Sequence, residues 1–130
     1  MSVNLKAVFL LSQAALRVMK DGGLGYIINI SSTAALEVPA RASAYGISKL
    51  GVKGLTQALY ETGKECGVKV SVIYPGMTDT KLLRDINLPV DTGCWMLPED
   101  IAGCVLFLLK QSDRIVIREL IAWAARHDKI

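Results

Sequence analysis

At 130 residues, with 52% hydrophobic and 21% charged side chains, the chain can bury a real core as one domain spanning 1–130, and its composition excludes disorder. The formal net charge is +3, but the basic residues are scattered, with no stripe of Lys and Arg interleaved with aromatics, which argues against a nucleic-acid surface. A lone histidine, His127, and three cysteines without CxxC spacing, Cys66, Cys94 and Cys104, speak against a Ser-His-Asp site or a His-rich metal site; free thiols in odd number fit a reducing cytoplasm.

Lys6 followed by Ala7-Val8-Phe9-Leu10-Leu11 faintly resembles a signal-peptide core. Gln13 and Arg17 interrupt it, and helical apolar spacing continues through Val18 and Met19, so residues 1–20 read as a helix that Asp21-Gly22-Gly23 ends. No stretch reaches the ~18 apolar residues of a membrane span. Tyr26-Ile27-Ile28-Asn29-Ile30, ending in Ser31-Ser32, predicts a buried strand over 26–31. A loop with Pro39 leads to a second helix over 43–65, ended by Cys66-Gly67. Residues 68–74 predict the next strand, stopped by Pro75-Gly76. Residues 79–97 look irregular apart from a single helical turn. Pro98-Glu99-Asp100 then opens a third helix, with Pro early and acids in the first turn. Residues 114–121 read as a last strand. Strands alternating with helices imply an α/β fold of about three parallel strands flanked by helices, because parallel strands need crossover connections.

The 43–65 helix is apolar or small on two sides. Tyr45, Lys49, Val52, Thr56 and Leu59 share one face; Ile47, Leu50, Gly51, Gly54 and Ala58 occupy roughly the opposite one. The first helix is apolar around much of its circumference as well. A helix packed on a single sheet should be polar outside, so both helices are expected to meet a partner surface, the bland alternative being burial within their own domain.

Chemistry concentrates in Tyr45-Gly46-Ile47-Ser48-Lys49. A Tyr and a Lys four apart project from one helical face. Free tyrosine has a pKa near ~10 and is a poor acid–base catalyst at neutral pH; a neighbouring ammonium favours the phenolate. Ser32, thirteen residues earlier, ends the preceding strand, and ligands of open α/β sheets gather at strand ends. Its hydroxyl can hydrogen-bond a substrate carbonyl while Tyr45 donates the proton. Taken alone, a Tyr-x-x-x-Lys match is equally a surface lysine beside a packed tyrosine.

Several segments in order resemble one family. Ile27-Ile28-Asn29-Ile30-Ser31-Ser32 followed by Ala44-Tyr45-Gly46-Ile47-Ser48-Lys49 looks like the active-site stretch of the short-chain dehydrogenase/reductases. Val3-Asn4-Leu5 resembles the family's Asn segment on the preceding helix. Val72-Ile73-Tyr74-Pro75-Gly76-Met77-Thr78-Asp79-Thr80 resembles its Pro-Gly segment, and Leu97 to Ala102 its following helix start. The resemblance runs across nearly the whole chain. It implies a partial Rossmann-like fold and a Ser-Tyr-Lys-Asn site for carbonyl reduction or alcohol oxidation with NAD or NADP. Tyr45 would be the general acid or base. Lys49 would lower its pKa and bind the nicotinamide ribose. Ser32 would orient the substrate oxygen, and Asn4 would hold a water connecting Lys49 to solvent. Pro75, Gly76, Thr78 and Thr80 would line the nicotinamide and its phosphates. Residues 81–97 would shape the substrate pocket, with Leu82, Leu83, Trp95 and Met96 either an apolar lid or loop residues capping the core. A homo-oligomer through the first helix and the 43–65 helix is implied too.

The departure from the family pattern is as informative. The strand, glycine-rich turn and helix that bind the pyrophosphate are not found; Gly22-Gly23-Leu24-Gly25 follows a helix and precedes a strand, the reverse of the required order. The family's Asn-Asn-Ala-Gly strand end is not found either. The chain is therefore expected to correspond to the catalytic C-terminal half of the family fold, to bind dinucleotide weakly by itself, and to lack turnover alone. The alternatives are a non-catalytic remnant or oligomerisation module, or one half of a split enzyme completed by an N-terminal partner chain.

Overall fold

The computed structural model of the protein describes residues 1–86 and 92–125. Three parallel strands form one sheet in the order β1 (Gly25–Ile30), β2 (Val68–Pro75), β3 (Glu119–Ala122). Four α-helices accompany them among the described residues: α1 (Val8–Gly22), α2 (Ser43–Lys64), the short α3 (Lys81–Ile86) and α4 (Pro98–Leu109). The expected α/β architecture is the one observed.

β2 is the central strand, which explains its composition. Val70, Val72, Ile73 and Tyr74 are all buried, on both faces, so its sequence is nearly continuously apolar, as in parallel strands covered on two sides. Ile27 of β1 and Val70 of β2 pack against Leu55, Leu59 and Tyr60 of α2 and Ala15, Leu16 and Met19 of α1. α1 and α2 therefore lie side by side on one face of the sheet. Asn29 points to that same face and is buried there. It accepts from the Ser12 hydroxyl at 3.2 Å and donates to Thr56 Oγ1 at 2.9 Å, and Thr56 passes its own proton to the Val52 carbonyl at 2.7 Å. One buried polar chain thus ties α1, β1 and α2 together. An unpaired amide at that depth would cost about 1–3 kcal/mol, so the bonds specify how the three elements meet.

Two expected elements change. The first helix does not begin as an α-helix: Ser2–Ala7 is π-helical, with the amides of Leu5 and Lys6 both directed at the Met1 carbonyl, at 3.1 and 3.4 Å. The last strand is shorter and later than residues 114–121. The chain turns at Ser112–Ile115, and the Ile117 carbonyl accepts from the Ser71 hydroxyl at 2.6 Å. Backbone pairing begins only where Val72 N–H meets the Arg118 carbonyl, so the strand runs from Glu119. α4 opens as expected, with Pro98 in its first turn and the Asp100 carboxylate accepting the Leu97 N–H at 2.7 Å. No helix among the described residues is long and apolar enough to cross a membrane. His127 and residues 87–91 of the expected pocket loop lie outside the described residues.

Candidate active site

Because the strands are parallel, their carboxyl ends share one edge of the sheet, and the expected site residues collect there. Ser31 and Ser32 follow β1, Pro75 and Gly76 close β2, and the chain after β3 meets Gly76, whose N–H donates to the Ala122 carbonyl at 2.8 Å. α2 passes over the end of β1. Ser31 is buried, and its hydroxyl donates to the Lys49 carbonyl at 2.9 Å. This bond fixes the height of α2 above the strand end.

The approach of the serine loop to α2 requires a glycine. A Cβ on Gly46 would stand 3.0 Å from the Ala34 carbonyl and 2.7 Å from Val38 Cγ1. With hydrogen there instead, the turn Thr33–Ala35 seats against α2 directly beside Tyr45. Ser32 caps that turn by accepting the Ala34 N–H at 3.1 Å. A hydroxyl that accepts this bond still has its own proton to donate, so Ser32 can offer a hydrogen bond outward.

Tyr45 and Lys49 stand one turn apart on α2, both partly buried, with Lys49 Nζ 5.7 Å from the Tyr45 ring centre. Nζ also donates to the Ile30 carbonyl at 3.3 Å. Burial of the ammonium holds the Lys49 pKa below the ordinary lysine value. For Tyr74, inside β2, burial first, then the Glu119 carboxylate, push the pKa up, which suits packing and not proton transfer at neutral pH.

Asn4 arrives on the π-helical turn. A second close approach sets it there, for a Cβ on Gly51 would meet Leu5 Cδ2 at 2.8 Å. Asn4 Nδ2 donates to Ser48 Oγ at 3.4 Å, and Ser48 donates to the Tyr45 carbonyl at 2.6 Å. The contact of Asn4 is thus with the helix that carries Tyr45 and Lys49, through Ser48. π-turns inside helices are frequent at functional sites.

The Pro-Gly segment is built as a brace. Thr78 is buried, and its hydroxyl donates to the Gly76 carbonyl at 3.1 Å. Met77 and Asp79 bond the backbone of Met96 at 3.0 and 2.7 Å. The Thr80 carbonyl accepts the first amides of α3, from Leu83 and Arg84. Arg84 clamps Asp79 through two bonds, at 2.6 and 2.9 Å, and holds its carboxyl below the usual range. Of the expected apolar lid, Met96 is buried in this brace, while Leu82 is exposed.

Ser31 and Ser48 are structural members of the site that sequence reasoning passed over. Both sit inside the matched motifs, and the signal was a small hydroxyl placed where strand and helix must touch.

A sheet of this order with these residues at its carboxyl edge defines the short-chain dehydrogenase class, and the chain belongs to that family: the family model described as short chain dehydrogenase matches residues 1–90. Among curated proteins the chain is 36% identical over 118 residues, 91% of its own length and 50% of the relative's, to an uncharacterized oxidoreductase of Staphylococcus aureus (strain USA300). It is 32% identical over 121 residues to a sepiapterin reductase of Chlorobaculum tepidum, covering 93% of this chain and 49% of that one. Among solved structures it is similar to a 4-hydroxyisoleucine dehydrogenase complexed with NADH and succinate, at TM-score 0.78 and 29% identity, covering 95% of this chain and 55% of that one. The chain spans about half the length of the curated relatives it matches.

The lowered Lys49 pKa has a consequence for stability. The unfolded lysine keeps its proton over a pH range in which the folded one has begun to lose it, so unfolding free energy rises with pH across that range. The penalty is full below the lowered folded pKa and is relieved between it and the ordinary lysine value. In urea titrations at increasing alkaline pH, wild type is expected to gain stability relative to Lys49→Met. A difference between the two that does not change with pH would contradict this.

Proposed function

We propose that this chain carries the proton-transfer half of an NAD(P)-dependent site for carbonyl reduction and alcohol oxidation, with the dinucleotide held fully only when further chain completes the sheet. The observation that carries the reading is the convergence of Ser32, Tyr45 and Lys49 where the loop after β1 seats on Gly46.

The residues present fit the nicotinamide-ribose end of such a cofactor. Lys49 offers a partly desolvated ammonium at the carboxyl edge, with an exposed 3.3 Å bond to give up. Tyr45 and Lys49 would hold the ribose hydroxyls, and the Pro75 to Thr80 segment would line the nicotinamide side, Thr78 and Thr80 toward the phosphates. When bound, a nicotinamide cofactor supplies or accepts the hydride. Ser32, already accepting from Ala34, donates its own proton to the substrate oxygen and orients it. Tyr45 gives its proton to the oxygen as the carbonyl is reduced and takes it back in oxidation. The Lys49 ammonium stabilises the charge left on the phenol oxygen as the proton moves. Asn4, through Ser48 and the Tyr45 carbonyl, steadies the turn of α2 that bears both groups, and a water on Asn4 would carry the relay from Lys49 to solvent.

The pyrophosphate calls for backbone amides of a glycine turn at a helix N-terminus. Losing several charge-assisted hydrogen bonds of ~1.5–3 kcal/mol each costs powers of ten in affinity, so turnover by this chain alone is not expected. A complementary N-terminal chain that supplies those donors is the partner this reading requires.

The outward stripe of α2 supports self-association. Ile47 and Leu50 are exposed, and a Cβ on Gly54 would meet nothing within 4 Å. Leu11 and Val18 of α1 are exposed too. We read these two helices as the surface for a second copy, packing helix against helix with small residues allowing close approach.

The catalytic reading is tested in a hybrid. This chain replaces the matched 118 residues of the Staphylococcus aureus relative, and oxidation of NADH and NADPH is followed with a panel of carbonyl compounds. Tyr45→Phe should lower the rate by about 10²-fold or more, the usual weight of a positioned general acid, with the fold intact by circular dichroism. Unchanged turnover in Tyr45→Phe would remove Tyr45 from its role. The assembly reading is tested by sedimentation: the chain should run as a dimer or larger, and Gly54→Arg should dissociate it. A monomeric wild type at micromolar concentration would contradict it.

A further inference from the structure

Ser32 is tied through both its side chain and its backbone. Its hydroxyl accepts the Ala34 N–H at 3.1 Å, and its carbonyl accepts the Ala35 N–H at 2.9 Å. Where Ser32 stands is therefore decided by what holds Ala34 and Ala35. Ala34 is held from α2, since its carbonyl lies against Gly46. Ala35 is held from the sheet. It is buried and packs in one cluster with Val72 and Tyr74 of β2, with Leu36 packed against the group.

Tyr74 is the large member of that cluster, with none of its surface exposed. Side chains alternate along a strand, so Tyr74 shares with Val70 and Val72 the face of β2 that looks toward α2. Lys53 of α2 lies over its ring, with Nζ 5.9 Å from the centre. The ring thus occupies the space between β2, α2 and the turn Thr33–Ala35. The hydroxyl makes no hydrogen bond among the described residues, although the Glu119 carboxylate on the next strand is near enough to act on it. The contact that supports the turn is that of the flat ring.

We propose that Tyr74 is a positioning residue for Ser32: its ring is the floor on which the serine turn rests, as Gly46 is its wall. The proposal rests on the reading of Ser32 as the group that orients the substrate oxygen. Interiors are close-packed, so loss of the ring leaves space into which Ala35 can sink, and the two amides that fix the Ser32 carbonyl and hydroxyl move with it. Being wholly buried, Tyr74 meets no substrate and acts through Ser32.

The first arm of the test uses the whole chain and amide hydrogen exchange. Tyr74→Leu keeps an apolar side chain and removes the flat ring. The amides of Ala34 and Ala35 should then exchange about tenfold faster or more, while the Val72 amide, bonded to the Arg118 carbonyl at 2.9 Å in the β2–β3 ladder, should keep its wild-type rate. Tyr74→Met should act in the same sense, so the outcome does not hang on the folding of one variant. Tyr74→Phe, the conservative variant, keeps the ring and drops only the unbonded hydroxyl, and all three amides should stay at wild-type rates. Equal acceleration of all three amides in Tyr74→Leu, or acceleration of none, would overturn the positioning role, and loosening of the turn in Tyr74→Phe would overturn the assignment to the ring. The second arm is a double-mutant cycle in the hybrid described above. Tyr74→Leu should lower kcat about tenfold or more with KM changed far less, and should cost nothing further in a Ser32→Ala background. Full additivity of the two losses would overturn the proposal. Unchanged turnover in Ser32→Ala would instead remove Ser32 from its role, a failure that leaves the exchange rates of the first arm unaltered.

Discussion

The buried amide of Asn29 is the contact on which the site depends. A strand repeats every second residue, so a slip of one position would turn Asn29 away from Ser12 and Thr56 and break both buried bonds of its amide. The bond to Thr56 therefore fixes which residues of β1 face α2. Once that register is set, Ser31 arrives beneath the Lys49 carbonyl and Ser32 begins the turn that seats on Gly46. The positions of Tyr45 and Lys49 over the strand end are consequences of packing decided three residues earlier in the strand.

The same arrangement explains why polar chemistry survives at the edge of an apolar sheet. Several buried hydroxyls have a local partner: Ser48 on the Tyr45 carbonyl, Thr78 on Gly76, Ser71 on Ile117. The groups left with capacity are the Ser32 hydroxyl proton, the Tyr45 phenol and the Lys49 ammonium, at the end of the sheet where loops and not strands surround them. Satisfaction elsewhere is what leaves these three available.

Much of this was legible in the chain. The alternation of apolar runs with helical spacing gives the parallel sheet, because it rests on local periodicity, whereas Ser32, Tyr45 and Lys49 were singled out by the resemblance of their segments to the family's motifs. The shortened β3 was not legible, since Ile115, Val116 and Ile117 have strand composition, and the Ile117 carbonyl is taken by the Ser71 hydroxyl, 46 residues away. The π-turn around Asn4 was hidden for a similar reason: its residues are ordinary helix formers, and the constraint comes from Leu5 packing on Gly51. Asn4 was expected to hold a water connecting Lys49 to solvent, and its direct contact is with Ser48; a side chain's partner across 44 residues is a tertiary fact that spacing does not carry.

On the proposed function, proton transfer would be organised by β1 and α2, and the grip on the dinucleotide would reside largely in further chain. A titration of the pure chain with NADH and with NADPH, read by nicotinamide fluorescence, tests that division most directly. The account predicts no saturation in the micromolar range for either nucleotide. Micromolar binding by this chain alone, abolished by Lys49→Met, would contradict it and would place a sufficient cofactor grip within these residues.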